Sequence, residues 1–300
     1  MRYDKWLTKN TESLVGKTVA ISGSTGGIGK HLSRYLASLG AELVLLDRNR
    51  ERSEANKLAL ENEFPGVKVS LVRLDLVDVS SVAEATERLK EISPDIFIHN
   101  AGAYSIPRCT SNSGYDNVYT INFASPYYMI RELMPMMRAK QGRVVVVGSI
   151  AHNYSKINEG DIDFAGVTKA SKVYGNAKRF LMFSLYELFK NESDVTLAVT
   201  HPGITFTNIT SHYPKLVFAI IKHPMKVIFM PAEKAALSIV KGLFEPTEYH
   251  TWHGPRVFNV WGLPSKKRLS TCSLSESAAI ASIAERVYDD VKMTVDTAAK

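Results

Sequence analysis

Thr18-Val-Ala-Ile-Ser-Gly-Ser-Thr-Gly-Gly-Ile-Gly29 decides the fold. A short apolar run ends at Ser22. The glycine turn Gly23-x-x-x-Gly27-x-Gly29 follows, and a helical pattern runs from Gly27 to Leu39 and stops at Gly40. Strand, glycine turn and helix in this order form the context in which such a motif holds a dinucleotide. Gly23 allows a tight exit from the strand. Gly27 and Gly29 admit phosphates and let the helix pack closely. The helix N-terminus then offers free N–H groups and a positive dipole end to a pyrophosphate. Ser24 and Thr25 add hydroxyl donors.

The pattern repeats outward. Strands are expected at Glu42–Asp47, 67–72, Asp95–His99, 143–148, Val195–Thr200 and Arg256–Trp261. Helices are expected after Arg50, over 80–92 with Ser80 or Ser81 as cap, over 114–140, around Tyr174, over Ala232–Phe244 and from Ser275 to about Val291. Near-continuous Val/Leu/Ile strands fit a sheet covered on both faces. Strand–helix alternation implies right-handed βαβ units and a doubly wound parallel sheet. We expect one domain over residues 17–262. A polar extension (1–16) precedes it, a helical segment (263–300) follows it, and residues 203–231 form a flap over the site.

Three hundred residues suffice for a large core. No apolar stretch is long enough to span a bilayer, and the first ten residues lack the apolar centre of a secretory signal. Cys109 and Cys272 give neither a disulfide framework nor a zinc site, so a cytoplasmic location and no metal are expected. The net charge of +7 is not gathered into a basic stripe, which argues against a nucleic-acid partner.

Asp47 ends the second strand. A carboxylate there accepts from ribose hydroxyls and repels a 2′-phosphate, which favours NAD. Arg48, next to it, can grip a 2′-phosphate, which keeps NADP open. Further on, Tyr174 and Lys178 stand at i and i+4 and share a helix face. An ammonium beside a phenol stabilises the phenolate and lowers its pKa towards a useful range. Ser149 follows the fifth strand, at the carboxyl edge where open α/β sheets bind ligands. Asn122 can anchor a water that links Lys178 to solvent.

Together these residues resemble the short-chain dehydrogenase/reductase family over most of 16–262. The resemblance rests on Gly23-x-x-x-Gly27-Ile28-Gly29, Asp75, Asn100-Ala101-Gly102, Asn122, Ser149, Tyr174-x-x-x-Lys178 and Pro202-Gly203. It implies a seven-stranded sheet in the order 3-2-1-4-5-6-7. It also implies a catalytic set of Asn122, Ser149, Tyr174 and Lys178. Asp75, with Leu76 beside it, would meet adenine. Asn100-Ala101-Gly102 and Pro202-Gly203-Ile204 would line the cofactor pocket, and Thr207 would bind the nicotinamide carboxamide. A homodimer or homotetramer is implied, with the long helix from Gly114 and the Tyr174 helix as contact faces. Ser22 stands where the family usually has threonine. The Ser149–Tyr174 interval is longer than in most members and contains His152 and Asp161-Ile-Asp-Phe164, which resembles the retinol dehydrogenase-like branch.

The expected activity is interconversion of an alcohol and a carbonyl on an apolar, retinoid-, steroid- or lipid-like small molecule. His152 and Tyr154 are candidate substrate residues beside Ser149 and Tyr174. Leu216–Ile221 and Val227–Met230 form a greasy lid, a membrane-surface patch with Lys215, Lys222 and Lys226, or ordinary packing. The alternative function is an NAD(H)-binding sensor or scaffold without turnover.

Overall fold

The computed structural model describes residues 3–205 and 229–298. In chain order the elements are α1 (Asp4–Asn10), β1 (Thr18–Ser22), α2 (Gly27–Ser38), β2 (Glu42–Asp47), α3 (Arg50–Glu63), β3 (Val69–Arg73), α4 (Val79–Ile92) and β4 (Ile96–His99). A short turn α5 (Asn117–Tyr119), a π-turn (Thr120–Ala124), α6 (Ser125–Ala139) and β5 (Arg143–Val147) follow. Then come a 3₁₀ turn (Ile150–Tyr154), α7 (Ala170–Leu188), β6 (Thr196–Thr200), α8 (Ala232–Phe244), β7 (Thr251–Val257), β8 (Trp261–Arg268) and α9 (Leu274–Ala298).

One sheet runs β3-β2-β1-β4-β5-β6-β7-β8. Strands β1 to β7 pair in parallel, and β8 returns antiparallel on β7. Side chains alternate across the sheet. Val19, Ile21, Leu43, Leu45, Val145 and Ala198 face α2 and α8, while Ala20, Val44, Leu46, Phe97, Val144 and Val199 face α4, α6, α7 and α9. The order reverses between β1 and β4, which opens a crevice at their carboxyl ends. The glycine turn leaves β1 at that point.

Four expectations change. The seven parallel strands have an eighth. The range Arg256–Trp261 is not a strand: it straddles the β7–β8 hairpin, whose turn residues Phe258 and Asn259 are left-handed. Facing prolines, Pro255 and Pro264, hide both flanking strands from a propensity reading, because proline cannot donate to the ladder. The cap of α4 is Asp78, whose carboxylate accepts from Ser80 N, just ahead of the expected serines. Residues 1–16 are more than a polar extension: they contain α1 and plant Leu7 and Leu14 in the core. Among the described residues no helix is long and apolar enough to cross a membrane.

α9 lies across α4, α6 and α7. Its Ile280, Ile283, Ala284, Val287 and Val291 are buried in the same core as Tyr127, Phe180 and Phe183. The helix faces expected to meet a second subunit are therefore covered by the chain's own C-terminal helix.

Candidate active site

A cavity of about 730 Å³ opens at the crevice. Gly23, Thr25, Gly27, Ile28 and Gly29 line it, as do Asp47, Arg48, Asp75, Leu76, Asn100, Ala101 and Gly102. So do Ser149, Tyr154, Tyr174, Lys178, Pro202, Gly203 and Ile204. Residues far apart in the chain thus share one space. Ser24, Asn122 and His152 do not line it, and Thr207 lies outside the described residues, as do residues 206–228 of the expected flap. The two ends of that flap meet where Thr205 bridges Met230, beside Phe229 on the cavity wall. A second cavity, lined by Glu159, Asp161, Asp163, Asp289, Asp290 and Arg286, holds none of the expected residues.

The turn is built for close approach. A Cβ on Gly29 would stand 2.0 Å from the Gly23 carbonyl oxygen, so only glycine lets α2 start this tightly against β1. Ser22 keeps the work of a threonine hydroxyl. Its Oγ accepts the N–H groups of Asn100 and Ala101, both at 3.1 Å, which leaves its proton for His99 Nδ1 at 3.1 Å. Asn100 Nδ2 donates to the carbonyls of Ser22 and Gly23 at 3.1 and 3.0 Å, and β4 is thereby tied to the turn.

Asp47 is buried, and its carboxylate is filled by the protein. Oδ2 accepts from Ser24 Oγ at 2.5 Å and Ser53 Oγ at 3.1 Å, and Oδ1 from Thr25 N at 3.1 Å and Thr25 Oγ1 at 3.0 Å. A carboxylate offers about four lone-pair sites. All four are taken by protein donors, so a ribose hydroxyl would have to displace one of them to reach Asp47. Arg48 and Arg52 are exposed on the cavity wall, and among the described residues neither forms an ion pair. The sequence reading missed Arg52; its position one turn into α3 was the available signal.

At the other end Tyr174 projects from α7. Burial raises its hydroxyl to about 12, and the neighbouring Ser149 hydroxyl pulls the other way. Lys178 Nζ donates to Val147 O at 2.9 Å and lies 5.8 Å from the Tyr174 ring centroid. Burial lowers its ammonium to about 7. With protein groups alone, the expected depression of the phenol does not occur. Both groups lose water, and desolvation disfavours the charged form of each.

Asn122 sits in the π-turn, fully buried. Its Nδ2 donates to Ala103 O and Val118 O, both at 2.8 Å, and its Oδ1 accepts from Ala103 N at 3.3 Å. A Cβ on Gly102 would lie 2.7 Å from Asn122 Oδ1 and 3.6 Å from Lys178 Nζ, so both groups flank that glycine. One extra residue in a helical turn is a local distortion common at functional sites. Nothing in the apolar periodicity of 114–140 marks it.

His152, expected beside the substrate, does not line the cavity. Its ring is fully buried, packed edge-on to Trp252 and Phe183. Tyr154 does reach the cavity and is half exposed. The sequence reading missed Tyr104, whose ring meets Tyr174 edge-on at 5.3 Å, and the cavity-lining Ile106 and Ile150; Phe229, also on the cavity wall, belongs to the expected lid stretch Val227–Met230.

The family model described as short chain dehydrogenase matches residues 17–215. An uncharacterized oxidoreductase of Schizosaccharomyces pombe is 30% identical over 73% of this chain and 69% of its own length. Retinol dehydrogenase 14 of Homo sapiens is 28% identical over 75% of this chain and 73% of its own length. The crystal structure of an uncharacterized protein from Mycobacterium Paratuberculosis has the same fold, with a TM-score of 0.74 at 22% identity over 93% of this chain and 95% of that one.

Proposed function

We infer that this chain, which belongs to the short chain dehydrogenase family, interconverts an alcohol and a carbonyl with NADP(H) as the preferred dinucleotide. One observation carries the reading: a single cavity is lined by the glycine turn and by Ser149, Tyr174 and Lys178. The residues present fit a dinucleotide. The turn leaves backbone N–H groups at the start of α2 for a pyrophosphate. Arg48 and Arg52 face the cavity beside a carboxylate that is already satisfied, which supports a 2′-phosphate on the adenosine ribose.

When bound, the dinucleotide supplies the hydride acceptor or donor and, in its oxidised form, a positive charge. The chain's residues do the proton chemistry. Tyr174 takes the alcohol proton during oxidation and returns it during reduction. Ser149 holds the substrate oxygen, and its hydroxyl beside Tyr174 lowers the phenol pKa. Lys178 stands close enough to favour the phenolate when it is charged. Asn122 fixes the backbone at Ala103, and with it the wall that carries Tyr104. Tyr104, Ile106, Ile150, Tyr154 and Phe229 make the open part of the cavity mostly apolar. That lining, and the relationship to retinol dehydrogenase 14, support an apolar alcohol or carbonyl as substrate.

The test is reduced-nicotinamide absorbance with both dinucleotides across apolar alcohols, retinoids, steroids and sugars. Turnover of apolar compounds with NADP(H) is expected. Tight dinucleotide binding with no turnover across the panel would instead identify a sensor.

A further inference from the structure

The longer interval before Tyr174 places His152 three residues after Ser149, and the structure gives that histidine a different task from lining the pocket. We propose that His152 is a positioning residue that holds Ser149 in register with Tyr174, and that Thr271, in the segment between β8 and α9, locks it there. The proposal rests on the acid–base roles given above to Ser149 and Tyr174.

Ser149 caps the 3₁₀ turn Ile150–Tyr154, and its Oγ accepts from Ala151 N at 3.2 Å. Its carbonyl oxygen is gripped twice by one residue: by His152 N at 3.1 Å and by His152 Nδ1 at 2.7 Å. A carbonyl oxygen only accepts, so Nδ1 carries the proton. Nε2 is then the acceptor for the Thr271 hydroxyl at 2.9 Å. Each ring nitrogen therefore has one partner of the right sense, and the tautomer is fixed by the bonds themselves. Burial agrees, pulling the imidazole to about 4 and keeping it neutral.

The outer end of this clamp is closed by Arg179, the residue after Lys178. Its guanidinium donates to His152 O at 3.2 Å, to Thr271 O at 2.6 Å and to the Glu276 carboxylate at 2.6 and 2.8 Å. It is almost wholly buried, so a planar fork of donors is matched by four acceptor contacts. The loop is continuous: Ser149 carbonyl, His152 ring, Thr271 hydroxyl, Thr271 carbonyl, Arg179, His152 carbonyl. Thr271 and Glu276 lie beyond the part of the chain that the family model matches, which ends at residue 215. The catalytic turn is thus braced by the chain's own C-terminal segment. Ser149 and Tyr174 line the same cavity, so a displaced Ser149 changes two things together, the hold on the substrate oxygen and the pull that lowers Tyr174. The other groups around the phenol, Lys178 on α7 and Tyr104 on the loop after β4, stay where they are.

Paired amide substitutions separate positioning from packing. His152→Asn puts an amide N–H near the Nδ1 position and keeps the grip on Ser149. His152→Gln reaches towards Nε2, keeps Thr271 and releases Ser149. Kcat is expected to fall roughly tenfold or more in His152→Gln, with the Tyr174 limb of its pH profile moved to higher pH, and to stay within about threefold of wild type in His152→Asn. KM for the dinucleotide should change little in either. Equal losses in the two variants with an unmoved limb, or wild-type kcat in His152→Gln, would overturn the proposal. Thr271→Val should lower kcat in a fully folded protein, and wild-type kcat there would remove the C-terminal brace. A readout independent of turnover is the ring ¹⁵N spectrum of His152 in the wild-type chain. A neutral Nδ1–H ring at pH 6 is expected; an Nε2–H or charged ring sinks the assignment even if the enzyme reading stands. If no alcohol or carbonyl is turned over, that spectrum still decides the His152 contacts.

Discussion

Ser24 Oγ donates to Asp47 Oδ2 at 2.5 Å, and three more protein donors complete the carboxylate. The acid at the end of β2 is consequently a brace for the glycine turn. In the proposed reading, discrimination at the ribose falls to Arg48 and Arg52, which line the cavity beside it. Arg48→Ala should lower kcat/KM for NADPH by about 10- to 100-fold, the worth of a charge-assisted contact. NADH should change less than about threefold. Equal losses with the two dinucleotides would show that Arg48 does not read the 2′ position.

Removing the Tyr174 hydroxyl removes the group proposed to act as acid and base beside Ser149. Tyr174→Phe should reduce kcat by roughly 10²- to 10⁴-fold, with dinucleotide binding retained. Ser149→Ala should cost roughly 10²- to 10³-fold. It should also shift the Tyr174 limb to higher pH, because the hydroxyl that lowers the phenol is gone. The direction matters: alcohol oxidation needs the phenolate and gains as pH rises through that limb, whereas carbonyl reduction needs the phenol and loses. Full turnover by Tyr174→Phe would refute the acid–base assignment.

The parts of the site read from sequence are those set by local patterns. The glycine turn is legible because strand, glycines and helix are contiguous, and the Tyr174/Lys178 pair because helical spacing puts both on one face. The role of Asp47 is not legible, because its four donors come from the turn and from α3. His152 is misplaced for the same reason: its partner Thr271 lies 119 residues away, and only the fold reveals that both ring nitrogens are used. The direction in which Tyr174 moves depends on burial, which overrides the pairing that i, i+4 spacing suggests. In the fold, β7 and β8 are hidden by Pro255 and Pro264, and the C-terminal helix shows no sign in sequence of which face it will cover.

That covered face bears on assembly. Homodimer contact through α6 and α7 would require α9 to leave a core that contains Ile280, Val287 and Val291. We expect a monomer by sedimentation velocity, or an oligomer whose cross-links avoid α6 and α7. Ile280→Asp, which buries an unpaired charge, should destabilise the fold by about 3 kcal/mol or more. Cross-links between α7 helices of two native chains would contradict this.

Burial of the Lys178 ammonium carries a stability cost. Its ammonium is held at about 7 against an ordinary value of 10.5, so the unfolded chain binds a proton that the native chain releases early. The sign follows from linkage. Above pH 10.5 both states are neutral and the cost vanishes; as pH falls from there to 7, the unfolded state gains a proton and native stability drops; below 7 both are charged and the cost is constant. Every tenfold difference in proton affinity between the two states is worth about 1.4 kcal/mol, so the cost near pH 7 is on the order of a few kcal/mol. Lys178→Met removes it but strands the Val147 carbonyl, which costs about 1–3 kcal/mol in turn. The variant should therefore be inactive yet more stable than wild type at pH 7, by on the order of 1 kcal/mol in urea unfolding. Its advantage should shrink steadily as pH rises towards 10. An advantage that grows with pH would mean that the native lysine is stabilised in its charged form, contrary to the burial seen here.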